Sequence, residues 1–221
     1  MPDFLKYVIF VLMSLVILAG FLLPVPFIPG LEEKSRIIYF HVPMSWLSVL
    51  AFFMSMLYSL KYLKTKDSIN DIKAYTAAGL GFLFCVLATI TGSLWAKFSW
   101  GSFWNWDPRQ TSIFILLLVY GAYFSLRSAV DESEQKAKLC SVYSIIAFVT
   151  VPFFIFIMPR IIETLHPDPI INTQGEINMD VTMLVVFLVS LLTFTLLYLW
   201  IFNIKVRLEK FKQKRIIQSI D

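Results

Sequence analysis

The chain carries two histidines, His41 and His166, and each stands in a short proline-bearing stretch beside a long apolar run. His41 lies in Phe40-His41-Val42-Pro43, and His166 in Glu163-Thr164-Leu165-His166-Pro167-Asp168-Pro169. Four of the six tryptophans crowd into Trp95-Ala-Lys-Phe-Ser-Trp100-Gly101-Ser-Phe103-Trp104-Asn-Trp106-Asp107-Pro108-Arg109. A tryptophan or two at a helix end is ordinary for a membrane protein, because the indole suits the headgroup level. Crowding Trp100, Phe103, Trp104 and Trp106 together with Gly101 and a charged Asp107-Pro108-Arg109 exit makes instead a platform for a flat apolar ligand. Neutral imidazoles, aromatic faces and a few cations fit haem, whose iron takes axial nitrogen ligands and whose propionates suit arginine or lysine. Arg109 is the best placed of the available cations, ahead of Lys34, Arg36, Lys97 and Arg160. A zinc or copper site is the alternative, and it needs a third or fourth ligand that only a carboxylate such as Asp168 could supply.

These residues must be positioned by membrane helices. Of 221 residues, 58% are hydrophobic and only 15% charged, and the mean hydropathy is +0.73, which leaves too little polar surface for a water-soluble globule. The expected fold is all-α, a polytopic bundle of six transmembrane helices over about 4–23, 43–60, 74–96, 110–126, 139–159 and 181–204, forming one membrane domain across 1–221. The run from Phe4 to Leu23 exceeds the apolar core of a secretory signal and is read as the first span. His41 precedes Val42-Pro43, and a residue before proline avoids helical geometry, so the second span is predicted to start near Pro43 with His41 at its mouth. Cys85 and Cys140 are far apart and form no C-x-x-C, so no thiol chemistry is assigned.

Basic residues set the orientation. With the N-terminus in the cytoplasm, Lys61, Lys64, Lys66, Lys73, Arg127, Lys136, Lys138 and the Lys205–Arg215 tail all fall on the cytoplasmic side, and the opposite side keeps few cations. Both termini are therefore expected in the cytoplasm, with the tryptophan link 97–109 and both histidines facing outward. The basic tail 205–221 reads as a continuation of the last helix against anionic headgroups of the lipid bilayer. No nucleic-acid signature is present.

Local signals refine the picture. Ala77 with Gly81, and Ala88 with Gly92, place small residues at helical spacing, which predicts that the third span is central to the bundle. Asp107 is predicted to cap the fourth helix, with Pro108 at its first position and Gln110 as the reciprocal member of a capping box. Arg109 is not needed by that cap.

The stretch Trp100-Gly-Ser-Phe-Trp104-Asn-Trp106-Asp107-Pro108-Arg109-Gln-Thr111-Ser112, with Phe40-His41-Val42-Pro43 and Thr164-Leu165-His166, resembles the tryptophan-rich haem-handling membrane proteins of cytochrome c maturation. With six spans, the resemblance is to the haem exporter protein C family of that group and covers nearly the whole chain. It implies that haem b is held on the outer side of the cytoplasmic (inner) membrane, with His41 and His166 as axial ligands to the iron. It implies further that the surface from Trp100 through Gly101, Phe103, Trp104, Trp106, Asp107 and Arg109 carries the macrocycle. By the same resemblance the haem passes to a membrane-anchored haem chaperone together with ABC-type transporter components, so the chain is a haem-handling protein and not an enzyme. Two positions depart from the family pattern: Pro167-Asp168-Pro169 replaces a glutamine-led sequence, and Phe103 stands where tryptophan is expected.

Two readings from other classes stand beside this one. A b-type cytochrome subunit of an electron-transfer complex would place histidines inside its spans, on facing helices, and here none lies mid-span. A small-solute transporter would show ionisable or broken helices near the midplane, for which Pro152 is the only hint.

Overall fold

The computed structural model describes residues 3–27, 30–167 and 177–218. Helix α1 runs over Asp3–Leu22, and a 3-10 helix over Glu32–Ile37 leads into α2, Ile38–Thr65. Helices α3 (Ser68–Trp100), α4 (Pro108–Ala129) and α5 (Ser133–Pro152) follow. A π-helical turn over Phe153–Ile157 joins α5 to α6, Met158–Ile161, and α7 runs from Val181 to Gln218. Counting α5 to α6 as one passage, six helical segments are long and apolar enough to cross a membrane, and the described residues contain no strand. Their outward faces keep large apolar side chains such as Phe10, Ile146 and Leu188 exposed, as lipid-facing positions require.

Helices α2 and α3 form the central pair, and α3 also touches α4, α5 and α7. Fully buried Leu47 and Ala51 of α2 meet Ala77, Leu80 and Ala88 of α3 in one core cluster, with Tyr198 and Phe202 of α7. The small residues of α3 allow this approach. A methyl group at Gly81 would stand 2.6 Å from the Phe52 ring, and Phe52 in turn stacks on Tyr120 of α4, ring centroids 3.5 Å apart.

The second helix differs from its expected start. It begins at Ile38, so Pro43 lies inside it, buried, and His41 sits within its first turn, two residues before the proline. A proline here cannot donate to the carbonyl of Tyr39, four residues earlier. Ser190 Oγ of α7 donates to that carbonyl instead, so the lost helical bond is replaced by one that ties α2 to α7. The preference of pre-proline residues for extended backbone is overridden by this packing.

At the far end of α3 from the tryptophans, Arg127 of α4 makes a bidentate pair with Asp71 at 2.8 and 2.6 Å and lies 4.5 Å from the Tyr75 ring centroid. Helix α7 continues without a break through the basic segment to Gln218. At 1.5 Å per residue it is about 57 Å long, well beyond a hydrocarbon layer of about 30 Å.

Candidate functional site

Asp107 is the pivot of the tryptophan end. It caps α4 as expected, Oδ1 accepting from Arg109 N at 2.9 Å, with Pro108 at the first helical position. Gln110 does not close a box on the cap residue; its Oε1 accepts from Asn105 N at 2.8 Å and its Nε2 donates to Phe103 O at 3.3 Å, which stiffens the tryptophan link itself. The same Asp107 carboxylate holds the link that follows α6. Oδ2 accepts from Thr164 Oγ1 at 2.8 Å and from Leu165 N at 2.7 Å, and Oδ1 lies 2.9 Å from His166 Nδ1. Burial works against the charge, but the hydrogen bonds from His166, Leu165 and Thr164 outweigh it and hold the Asp107 carboxyl well below the usual carboxylate range. An ionised carboxylate can only accept, so His166 carries a proton on Nδ1, and in the neutral ring Nε2 is the lone pair.

The chain reaches this geometry through local strain and a local break. Trp106 has φ +55°, a left-handed conformation that costs roughly 1–2 kcal/mol for a side chain other than glycine. It turns the indole outward, where it is 74% exposed, and lets the next carboxylate turn inward to 3% exposure. On the other side, Pro152 ends α5 and the π-helical turn redirects the chain through α6, and the link that follows carries Thr164-Leu165-His166 to Asp107. Proline and π-turns are recurrent sources of such redirection.

His41 is fixed by α3. Its Nδ1 lies 2.9 Å from Thr91 Oγ1. The Thr91 hydroxyl donates its one proton to the backbone carbonyl of Leu87 at 2.8 Å, with Ala88 O at 3.2 Å, so at the imidazole it acts as acceptor. His41 therefore also carries its proton on Nδ1 and leaves Nε2 as the lone pair. Gly92 makes room for the ring, for a methyl group there would stand 2.8 Å from His41 Cε1. The two imidazoles thus rest on consecutive turns of α3, His41 at Thr91 and Gly92, and His166 against Trp95 and Trp100 at centroid distances of 5.7 and 4.8 Å. One turn of helix rises about 5.4 Å.

The aromatic side chains form two groups. Trp100, the last residue of α3, meets Trp95 edge to face at 4.9 Å, and both touch His166. Trp104 meets Trp106 at 5.8 Å and Phe114 of α4 at 5.9 Å, further along the link. Gly101, with φ +82°, ends α3 by donating to Lys97 O, and exposed Phe103 lies under the Lys97 ammonium. The cations sort by partner. Arg36 donates to Gly20 O and Leu23 O at the end of α1, Lys97 Nζ to Gly101 O, and Arg160 to Phe156 O, each satisfying carbonyls at a helix end. Arg109 stands in the first turn of α4 beside Asp107.

Residues 2–220 match the family model described as heme exporter protein C. The chain belongs to the heme exporter protein C family. It is 34% identical to heme exporter protein C of Bradyrhizobium diazoefficiens over 74% of this chain and 62% of that protein. It is 27% identical to the protein of the same name from Haemophilus influenzae, over 93% of this chain and 85% of that protein. A putative cytochrome c biosynthesis ccmC-like mitochondrial protein of Marchantia polymorpha is 34% identical over 71% of this chain and 66% of its own length. The chain thus spans about three-fifths of the Bradyrhizobium relative it matches.

Within this family framework, the structure brings His166, Trp100, Asp107 and Arg109 into one neighbourhood, and His41 of α2 packs on α3 at Thr91, one turn before the Trp95 that meets His166. Three positions were not assigned a site role from sequence. Trp95 opens the tryptophan-rich stretch and was legible as part of it, yet its contact with His166 depends on a link 71 residues later in the chain. Thr91 and Gly92 sit inside an apolar run and carry no local signal of serving an imidazole. Asp168, the carboxylate that a zinc or copper site would need, lies outside the described residues, among which no group of three or more His, Cys, Asp and Glu gathers.

Proposed function

We propose that this membrane protein binds haem b at the tryptophan end of the bundle through His41 and His166 and delivers it for cytochrome c maturation. The observation that supports the reading is that both imidazoles pack against α3 one turn apart, each with Nδ1 2.9 Å from a fixed partner, which in the neutral ring leaves Nε2 as the lone pair. A partner on the other ring nitrogen fixes the tautomer and ring orientation of a metal-ligating histidine. Trp95 and Trp100 supply apolar edge and face contact beside His166, and Arg109 is the cation for a propionate. The positive-inside asymmetry of the chain supports cytoplasmic termini and an outward-facing site in the cytoplasmic membrane. Exposed Trp106 and Phe103 then form the surface offered to a membrane-anchored haem chaperone, with ABC-type transporter components as further partners.

Absorption spectra of the purified protein from haem-replete cells test this reading. Wild type is expected to carry a low-spin, six-coordinate Soret spectrum. His41→Ala and His166→Ala should each retain haem with high-spin character and lose cytochrome c maturation, and the double variant should lose most of the haem. A simple metal site using the same residues would empty on loss of either histidine. Wild-type protein without Soret absorption overturns the proposal.

A further inference from the structure

The two imidazoles are anchored by partners of unequal charge. His166 Nδ1 donates to a buried carboxylate that three further donors, Arg109 N, Thr164 Oγ1 and Leu165 N, hold in place. His41 Nδ1 donates to a neutral hydroxyl whose own proton is committed to a backbone carbonyl. A hydrogen bond to an ionised acceptor is roughly twice as strong as one between neutral groups, and it shifts electron density toward the opposite ring nitrogen. Nε2 of His166 is therefore the more basic and more firmly oriented donor. Resting on the haem-binding reading above, we propose that the site holds haem asymmetrically, with His166 as the retaining ligand through Asp107 and His41 as the ligand that leaves first through Thr91.

The consequence is an order of release. When an incoming donor approaches, the iron–Nε2 bond to His41 breaks, its electron pair returns to the imidazole, and the lone pair of the incoming donor makes the new bond. The iron keeps its oxidation state and no proton moves, because Nδ1–H stays on Thr91. The coordination position therefore opens on the side of α2, while the tryptophan pair and His166 keep the macrocycle seated. Asp107 and Thr91 act as positioning residues through the two imidazoles.

Cyanide exchange on the ferric, haem-loaded full-length protein tests this, followed by absorption and electron paramagnetic resonance, with the reduction potential as a second readout. Wild type plus cyanide should give the signature of His41→Ala plus cyanide and not that of His166→Ala plus cyanide. Thr91→Asp, which gives His41 a carboxylate of its own without touching the α4 cap, should slow exchange by about 10–100-fold. Asp107→Asn should raise the potential and abolish the preference for losing His41. Should Asp107→Asn fail to accumulate because the cap is weakened, the Thr91→Asp comparison decides alone. A haem-loaded protein in which cyanide displaces His166, or displaces either histidine equally, overturns the asymmetry and leaves haem binding standing. A wild-type protein without haem refutes the binding reading itself.

Discussion

Replacing Gly92 with alanine isolates the contribution of one imidazole's seat. The added methyl carbon would stand 2.8 Å from His41 Cε1 and 3.6 Å from each ring nitrogen. Carbon atoms pack at about 3.5–4.0 Å, so the ring must retreat by about 0.7–1.2 Å. That displacement stretches the 2.9 Å bond to Thr91 beyond good hydrogen-bond range. Overpacking of this kind costs about 1–3 kcal/mol, and a lost hydrogen bond about 0.5–1.5 kcal/mol more. The helix gains back about 0.8–1 kcal/mol from alanine's propensity. The net is about 0.5–3.7 kcal/mol against the wild-type seating of His41, which lowers haem affinity by about 2- to 500-fold. Haem titration of the purified variant, read at the Soret band with a spin-state marker, measures it. Gly79→Ala on the same helix is the control, since nothing lies within 4 Å of a methyl group there. Wild-type affinity and an unchanged spectrum for Gly92→Ala would refute the argument that α3 positions His41.

Three further outcomes follow from the same structure. Asp107 has a folded-state pKa below the ordinary aspartate value of about 3.9, so its stabilisation is complete above that value and is lost as pH falls below about 4; thermal unfolding against pH should show this acid limb flattened in Asp107→Asn. Arg127→Ala strips the partner from largely buried Asp71 and should cost about 3–5 kcal/mol of stability, seen as a lower unfolding temperature in detergent, with the haem spectrum of the surviving protein unchanged. Ser102→Cys should react with an impermeant thiol reagent on spheroplasts while Ser133→Cys does not, and the reverse pattern inverts the proposed orientation.

Much of this arrangement was legible in the sequence because membrane burial leaves a strong trace. Long charge-free runs mark the helices, small residues mark α3 as the central one, and the Asp107-Pro108 pair marks the start of α4. The contacts that make the site were not legible, because they join residues distant in the chain. Nothing near Asp107 signals that its second oxygen holds Thr164 and Leu165, some 57 residues on. Pro43 shows the limit of local rules: Ser190 of α7 satisfies the carbonyl that proline orphans, so the helix starts five residues earlier than the pre-proline preference indicates. Gly92 reads as a helix-packing residue by its spacing from Ala88, and its function of seating an imidazole emerges only when α2 is laid beside α3.

The central claim is that one haem iron is shared by His41 and His166. Electron paramagnetic resonance of the ferric, haem-loaded protein grown with 15N-histidine tests it most directly. The account predicts a low-spin signal coupled to two imidazole nitrogens, one from each histidine, converted to a high-spin signal in either His41→Ala or His166→Ala. A low-spin signal that persists in both single variants, or coupling to a single histidine in wild type, would contradict it.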